Sequence, residues 1–565
     1  MPSEDTEKLL VSEITSQVRT LETRRQAWEP LWKEVMEFCF PARNFDPKLD
    51  QGKDKRPKVN FNNRAALDVN VASAGFLGYT ANRRQIWSKL QFEDLAMMKQ
   101  YMVADWLEEC ERILYATFSR FGLYEALSEI VPDGHTVGTA VLYIEDLGQG
   151  RIAYQARHPL SVWIAENGSG EPDTVLEDVP MTNKAAVERF GKDRVSDRVA
   201  DAAEKDPYGI VTIRHLVMPK DERYRAYAKR PFDSKMPYSS IWLDTADNII
   251  LDAGGYWELP HAVWRYAKNA GEEYGRSPGQ NALGDIMAGN QMTRSRIRLG
   301  NLIADPTLII DEALEGQDTV IPGHHIYREN REDTIEPVPI GANYPITKDN
   351  EERQDALIDA HFNVPIYLML QQMERQMTAR EVIERTGEKA AILGPISGRY
   401  EREVLQKVVR RTFNILMRNG KLPPPPAAVL QAREKAQLKI EFLGFLAQLQ
   451  QRYYQTTGIN ATLAYIGAVG QMFPEATDWV DQDKLMVEGM ESAGAPASVI
   501  REEDDVKKLR EERMRAQAQM QQQAAQMQQE QALVQNADKL GKKPEDGSPL
   551  ANMGEALAMA QGGTL

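Results

Sequence analysis

Residues 274–306 read YGRSPGQNALGDIMAGNQMTRSRIRLGNLIADP. Pro278 to Ile303 is a long helical stretch. Asp305-Pro306 stops it, because proline lacks an amide donor and pushes the residue before it out of helical geometry. The segment that follows to Pro345 carries Gly and Pro, with short β-branched runs at Thr307–Ile310 and Thr319–Ile321. Helix resumes at Thr347. The expectation is a small β-rich insertion held between two helical arms.

Toward the N-terminus, Leu10, Ile14, Val18 and Leu21, then Trp28, Leu31, Trp32 and Val35, recur at helical spacing from Leu9 to Phe40, and Pro41 ends the run. After a Lys-rich loop from Lys48 to Lys58, helices are predicted over Asn63–Leu77 and Met97–Phe118, with an edge segment near Trp87. From Thr139 the pattern turns to β. Ala140–Glu145, Ile152–Ala156 and Ser161–Ala165 form one block, and Ile210–Met218, Ser240–Leu243 and Ile249–Asp252 a second. Toward the C-terminus, Thr378–Leu416 reads as helix kinked at Gly394-Pro395, and the prolines ending Lys421–Pro426 mark a boundary. Helices are then expected at Ala432–Tyr454, Ala461–Met472 and Gln482–Met490. Arg510–Gln535 is rich in Gln, Met and Ala, which favours helix but offers a monomer little apolar area to bury, so it is an oligomeric helix or a frayed one. Gly541–Leu565 is rich in Gly, Pro and small residues and is expected to be disordered. The fold class is α+β, mainly helical, with several domains.

At 565 residues the chain is too long for one core, and 42% hydrophobic with 27% charged residues suits a folded protein. The formal net charge of −15 is the wrong sign for gripping nucleic acid over the whole surface. Cys39 and Cys110 read as reduced core thiols. Met1–Lys8 is acidic and polar, unlike a secretory signal, and no eighteen apolar residues run together. A soluble protein made in a cytoplasm is expected.

No phosphate-binding Gly-rich loop, His-Glu-x-x-His, Cys-x-x-Cys or Gly-x-Ser-x-Gly is present. His324 and His325 are neighbours that point apart and read as a solvated pair. Asp478, Asp481 and Asp483 lack the spacing and glycine of a calcium loop. No catalytic residue, metal or cofactor is expected. Two charge rows stand out: Arg294 and Arg298 one turn apart before the insertion, and Glu351, Asp355 and Asp359 after it. They pair across packed helices, or form two solvated faces, or the arginines touch DNA phosphate.

Tyr274-Gly275-Arg276-Ser277-Pro278 with Ala282, Leu283, Asp285 and Ile286 resembles the start of the first stem helix in the head-to-tail connector, or portal, family of short-tailed phages. Met377-Thr378-Ala379-Arg380-Glu381-Val382, Leu393-Gly394-Pro395, and Phe413, Gly420, Leu422 and Pro423 are similar to that family's long wing helix. Pro474-Glu475-Ala476, the three aspartates after it and Gly494-Ala495-Pro496 are similar to its C-terminal block. The likeness spans roughly Trp28 to Arg513.

The resemblance implies a wing over 1–270, a first stem helix over 271–303, a clip over 304–344 and a second stem helix over 345–369. A tunnel loop over 370–377 and a long wing helix over 378–425 follow. The wing return and a helical crown or barrel take 426–540, and 541–565 forms a disordered tail. It also implies a closed ring of about twelve copies at one capsid vertex. Such a ring conducts double-stranded DNA during packaging and ejection and is not an enzyme. Its partners would be a packaging terminase, the major capsid or scaffold protein, and tail adaptor proteins at the clip, with no membrane. It would be assembled in the host cytoplasm and sit in the virion. Gln371, Gln372, Met373, Glu374, Arg375 and Gln376 would touch passing DNA: the glutamines offer neutral hydrogen bonds, Met373 a flexible apolar contact, and Glu374 cancels Arg375. An unbroken helix through this stretch is the alternative. The rival functions are another virion structural or scaffolding protein without a DNA channel, and a multidomain enzyme with a scattered site.

Overall fold

A computed structural model describes residues 4–45, 60–228, 231–244, 246–305, 308–310, 335–337, 344–373, 393–432 and 438–443, with short helical pieces between 509 and 523. The chain divides into two units, Met1–Gln450 and Gln451–Leu565. The second contributes only those helical pieces. His324, His325, the aspartates at 478, 481 and 483, the expected strand at 319–321 and the helices at 461–472 and 482–490 lie outside the described residues, as does the tail from 541.

The first unit opens with α1 (Glu4–Gln26) and α2 (Glu29–Cys39), then α3 (Arg64–Thr80), β1 (Ser88–Phe92), α4 (Leu95–Met98), α5 (Tyr101–Arg120) and α6 (Leu123–Thr136). Strands β2 (Thr139–Asp146), β3 (Ile152–Arg157), β4 (Val162–Glu166) and β5 (Pro172–Thr182) follow, with α7 (Asn183–Phe190) and α8 (Asp197–Lys205). Next come β6 (Ile210–Pro219), β7 (Tyr238–Asp244), β8 (Ile249–Tyr256) and β9 (His261–Arg265). Strands β4-β5-β6-β7-β8 make an antiparallel meander, and β3-β2-β9 a second sheet.

The amphipathic stripe of α1 explains its seat: Leu10, Val11, Ile14, Val18 and Leu21 pack with Trp163, Leu176, Leu216 and Ile241 on one face of the five-stranded sheet. At roughly 1.5–3 kcal/mol for each buried side chain, this face supplies most of what holds the helix to the sheet. On the opposite face, Phe190 and Val199 of α7 and α8 cover Ile213, Trp242 and Leu251 at one end. Val141 and Val263 of the three-stranded sheet meet Val162, Val175 and Val217 at the other. A larger core joins α3, α5 and α6 to β2, β9 and a C-terminal helix, α13 (Gln406–Arg418). Cys39 and Cys110 are both buried and unbridged. Burial raises both thiols, Cys110 to about 12.

Between the sheets sits a polar clasp. Glu177 of β5 is fully buried, lies opposite His215 of β6, and accepts from its Nδ1 at 2.9 Å. Arg157 of β3 donates Nε to the same carboxylate at 2.6 Å, and His261 of β9 approaches at 3.5 Å. The far nitrogen of His215 meets Ser240 at 2.9 Å, while Trp242 stacks on its ring. One ligand atom from each of Glu177, His215 and His261 lies within 4.8 Å of the others. Arg157 already neutralises the carboxylate, however, and a divalent cation placed beside it would add uncompensated buried charge. The guanidinium and ring N–H groups hold Glu177 well below the usual carboxylate range, against the opposing effect of burial.

The segment predicted as helix over 432–454 is corrected in part: Leu438–Phe442 is a strand, β12, antiparallel to β1. Ile440 is buried while Lys439 and Glu441 are exposed, a period of two that only the pairing makes legible. Between Pro426 and that strand lies a short helix, α14 (Ala427–Ala432).

Glu177→Gln leaves the partly exposed Arg157 guanidinium without its counter-charge and the two histidines facing a neutral amide, and is expected to cost about 2–4 kcal/mol in denaturant unfolding. Zinc or chelator is expected to leave the wild-type midpoint unchanged, and a zinc-dependent rise would contradict the charge argument.

Candidate functional site

The long helix expected at 278–303 is a short α9 (Pro278–Asn281) running into α10 (Leu283–Ala304). A two-strand ladder, β10 (Leu308–Ile310) with β11 (Ile335–Pro337), lies within the insertion. The chain returns as α11 (Tyr344–His361) and α12 (Val364–Met373). Helices α10 and α11 pack as a pair, and two joints fix that pair to the body.

The first joint is the 274–280 segment. Gly138, at φ +84°, and Gly275 bring two backbones into contact: a Cβ on Gly138 would sit 2.5 Å from the Gly275 carbonyl oxygen, and one on Gly275 would sit 2.1 Å from that of Gly138. Around this contact Gly275 N donates to Thr139 Oγ1 at 2.8 Å. Ser277 Oγ donates to the Thr136 carbonyl at 2.6 Å and caps α9 by accepting from Gln280 N at 2.9 Å. Arg276 exchanges both backbone hydrogen bonds with Ala267. Tyr274 is buried against Trp28 and Trp32, and its hydroxyl accepts from Ile164 N. Each residue of the Tyr-Gly-Arg-Ser run therefore has a physical task at one corner.

Behind it, Arg265 is 2% exposed and pairs with Glu166 and with Glu403 at 2.6 Å. Glu403 lies on a π-helical turn, Glu401–Leu405, that leads into α13. Residues 393–400 are helical, and the irregular turn falls beyond the Gly394-Pro395 kink expected from sequence.

The second joint is a strap just before α3 that sequence reading passed over. Phe61 N and Asn62 N donate to Asn290 Oδ1 of α10, at 2.6 and 3.2 Å, and Asn62 Nδ2 donates to Asp355 of α11 at 3.0 Å. Arg64 holds Asp359 with two hydrogen bonds of 2.5 Å. Further contacts tie the pair together: Gln354 and His361 reach Asp285, and Thr293 and Arg296 hold Glu351. At the body end Tyr367 of α12 fills the space that a side chain on Gly75 would need.

These contacts bear on one of the three readings of the charge rows, the pairing of Arg294 and Arg298 with the acidic row. Glu351, Asp355 and Asp359 are engaged, but by Arg296, Asn62 and Arg64. Arg294 and Arg298 are exposed, and Arg294 lies over the Phe61 ring at 5.5 Å. The guanidinium that reaches the acidic row from α10 belongs to Arg296, two residues from both Arg294 and Arg298. The expected loop at 370–377 is also revised, because α12 stays helical through Met373. Leu370, Gln371, Gln372 and Met373 belong to that helix, while Glu374, Arg375 and Gln376 lie outside the described residues.

Gly275→Ala is expected to lower stability by at least about 2–3 kcal/mol, since neither backbone has room to yield. Gly284→Ala, which meets nothing within 4 Å on α10, is expected to be neutral or to gain up to about 1 kcal/mol. Thermal unfolding of the two variants side by side checks the contrast, and equal melting temperatures would contradict it.

Comparison with known proteins places this architecture. The portal protein of Salmonella phage epsilon15 is 28% identical over 523 residues, covering 90% of this chain and 92% of its own length. The probable portal protein of Bordetella phage BPP-1 is 27% identical over 551 residues, covering 92% and 94%. A solved structure described as the neck of an empty GTA particle, computed with C6 symmetry, aligns with 71% of this chain and 86% of its own at 13% identity. Its TM-score is 0.33, too loose a fit to bear on the fold. Over residues 11–500 the chain matches the family described as bacteriophage head to tail connecting protein, and it belongs to that family.

Proposed function

We propose that the chain is the subunit of a phage portal, a structural ring at one capsid vertex that connects head to tail and passes double-stranded DNA during packaging and ejection. The observation that carries this reading is the likeness to two portal proteins of phages over nine-tenths of the chain. In this reading α10 and α11 are the stem, the insertion at 304–344 is the clip, and the helices after it return to the wing. Exposed apolar residues on the helix pair, Met287, Ile297, Ile303 and Leu357, support burial against further copies, about twelve in the family's ring. The acidic balance of the chain supports a channel that conducts DNA without gripping it, since each phosphate held must be released at every step. A terminase, capsid or scaffold protein and tail adaptors are the corresponding partners, and the location is the virion. The subunit is structural and needs no cofactor.

Residues 371–376 remain the proposed contact with DNA, now as the end of α12 and the segment after it. Replacing Met373, Glu374 and Arg375 by Gly and Ser is expected to leave rings intact and to lower packaged DNA per particle. Normal packaging with intact rings would remove the contact from the proposal.

The reading itself is tested by native mass measurement and imaging of the purified protein without nucleic acid. Closed rings with a central hole are expected, also after residues 541–565 are deleted. A stable monomer at micromolar concentration or an open filament would overturn it.

A further inference from the structure

The contact between α3 and α11 gathers more acid than base. Asp68 of α3 is 1% exposed, and neither of its oxygens has a hydrogen-bond partner among the described residues. Arg64, one turn earlier, reaches its Oδ1 at 3.3 Å but commits Nε and Nη2 to Asp359 across the joint. The groups around Asp68 come from every side. Arg64 lies on its own helix, Asp359 and Asp355 come from α11, and the Cys39 thiol comes from α2. On α6, His135 meets Ser73 and Phe76, and on α12 Tyr367 meets Gly75, both further along α3. One guanidinium thus serves three carboxyl groups, one of them fully buried. Burial first, and then the Asp359 carboxyl, push Asp68 up to about 8.

We propose that Asp68 keeps its proton at neutral pH and donates it to the Asp359 carboxylate, so that a shared proton latches the paired helices to the body. With that proton in place, Arg64 and Asp359 balance in charge and Asp68 has the partner its burial requires. Without it, two carboxylates face one guanidinium around a buried oxygen pair, and the α3–α11 contact is weakened. The inference rests on these side chains and is independent of the portal reading.

The sign of the pH dependence follows. The folded-state pKa of Asp68 lies above its unfolded value, so the stabilisation is complete below the unfolded pKa and is lost as pH rises through the folded one. Cys39 is raised further still and stays a thiol over that range. The joint therefore weakens progressively as pH rises from the ordinary carboxyl value towards about 8, and is at its loosest above that.

Infrared titration of the full-length protein tests this together with amide hydrogen exchange, corrected for the intrinsic pH dependence. A protonated-carboxyl band is expected at pH 7, fading through about pH 8 and missing from Asp68→Asn. Protection of α3 and α11 is expected to fall about tenfold or more from pH 6 to 9 in the wild type. It should stay flat in Asp68→Asn, whose amide still donates to Asp359. Should that variant not fold, Asp359→Asn reads the same latch: freed of a neighbouring charge and left to Arg64, Asp68 should titrate at least about one pH unit lower. No wild-type band lost in Asp68→Asn, equal pH dependence in both proteins, or an unmoved midpoint in Asp359→Asn would overturn the proposal.

Discussion

The close approach of Gly138 and Gly275 governs much of this fold. Two backbones can touch there only because neither carries a side chain, and Gly138 also occupies a left-handed conformation that L-residues avoid. That contact lets Thr136, Val137 and Thr139, at the turn from α6 into β2, bond directly to the segment that starts α9. The direction in which α10 leaves the body is set at this corner, and the position of α11 follows from its packing on α10. A helix pair that protrudes from a body needs such a constraint, because its own interface cannot say where it points.

Charge performs the same service deeper in the molecule. Arg265 bridges Glu166 and Glu403, Arg157 holds Glu177 between two sheets, and Arg64 ties α3 to α11. A buried pair such as Arg265–Glu403 adds little net stability compared with apolar residues of equal volume, but breaking it costs several kcal/mol. The partly exposed pairs of Arg157 and Arg64 follow the same rule at smaller magnitude. They penalise every arrangement in which the partners fail to meet. Three arginines, each joining two or more separate elements, therefore fix the relative placement of sheets and helices. In a head-to-tail connector subunit, whose surfaces must repeat from copy to copy, a fixed arrangement matters more than a small gain in stability.

Much of this was legible in the sequence. Wherever apolar residues recur with a clear period, as at Leu10–Leu21, Pro278–Ile303, Ala140–Glu145 and Ile210–Met218, the elements form within a few residues of expectation. The Tyr274–Pro278 run leads into α9 and α10, where the long helical stretch was expected. The rest was hidden for identifiable reasons. Strand β5 carries Glu177, Asp178 and Pro180, which argue against a central strand until Arg157, Arg214 and His215 are brought alongside. Helix α6 contains Pro132 and Gly134, and Gly134 is required there because the Trp264 ring occupies the space of a side chain. Strand β12 lies beside good helix formers and takes its conformation from pairing with β1. The Asn62–Arg64 strap has no periodicity, and its partners lie more than two hundred residues away.

The Gly138–Gly275 corner and the Asn62–Arg64 strap hold the helix pair in one orientation, and in the proposed portal each copy would present that pair to the centre of a ring. A cryo-EM reconstruction of the purified full-length protein tests this most directly. The account predicts a rotationally symmetric ring in which α10 and α11 of every copy surround the central opening, with Arg64 against Asp359 and the two glycines in contact. A ring in which the pair points outward, or one in which α11 has parted from α3 at neutral pH, would contradict it.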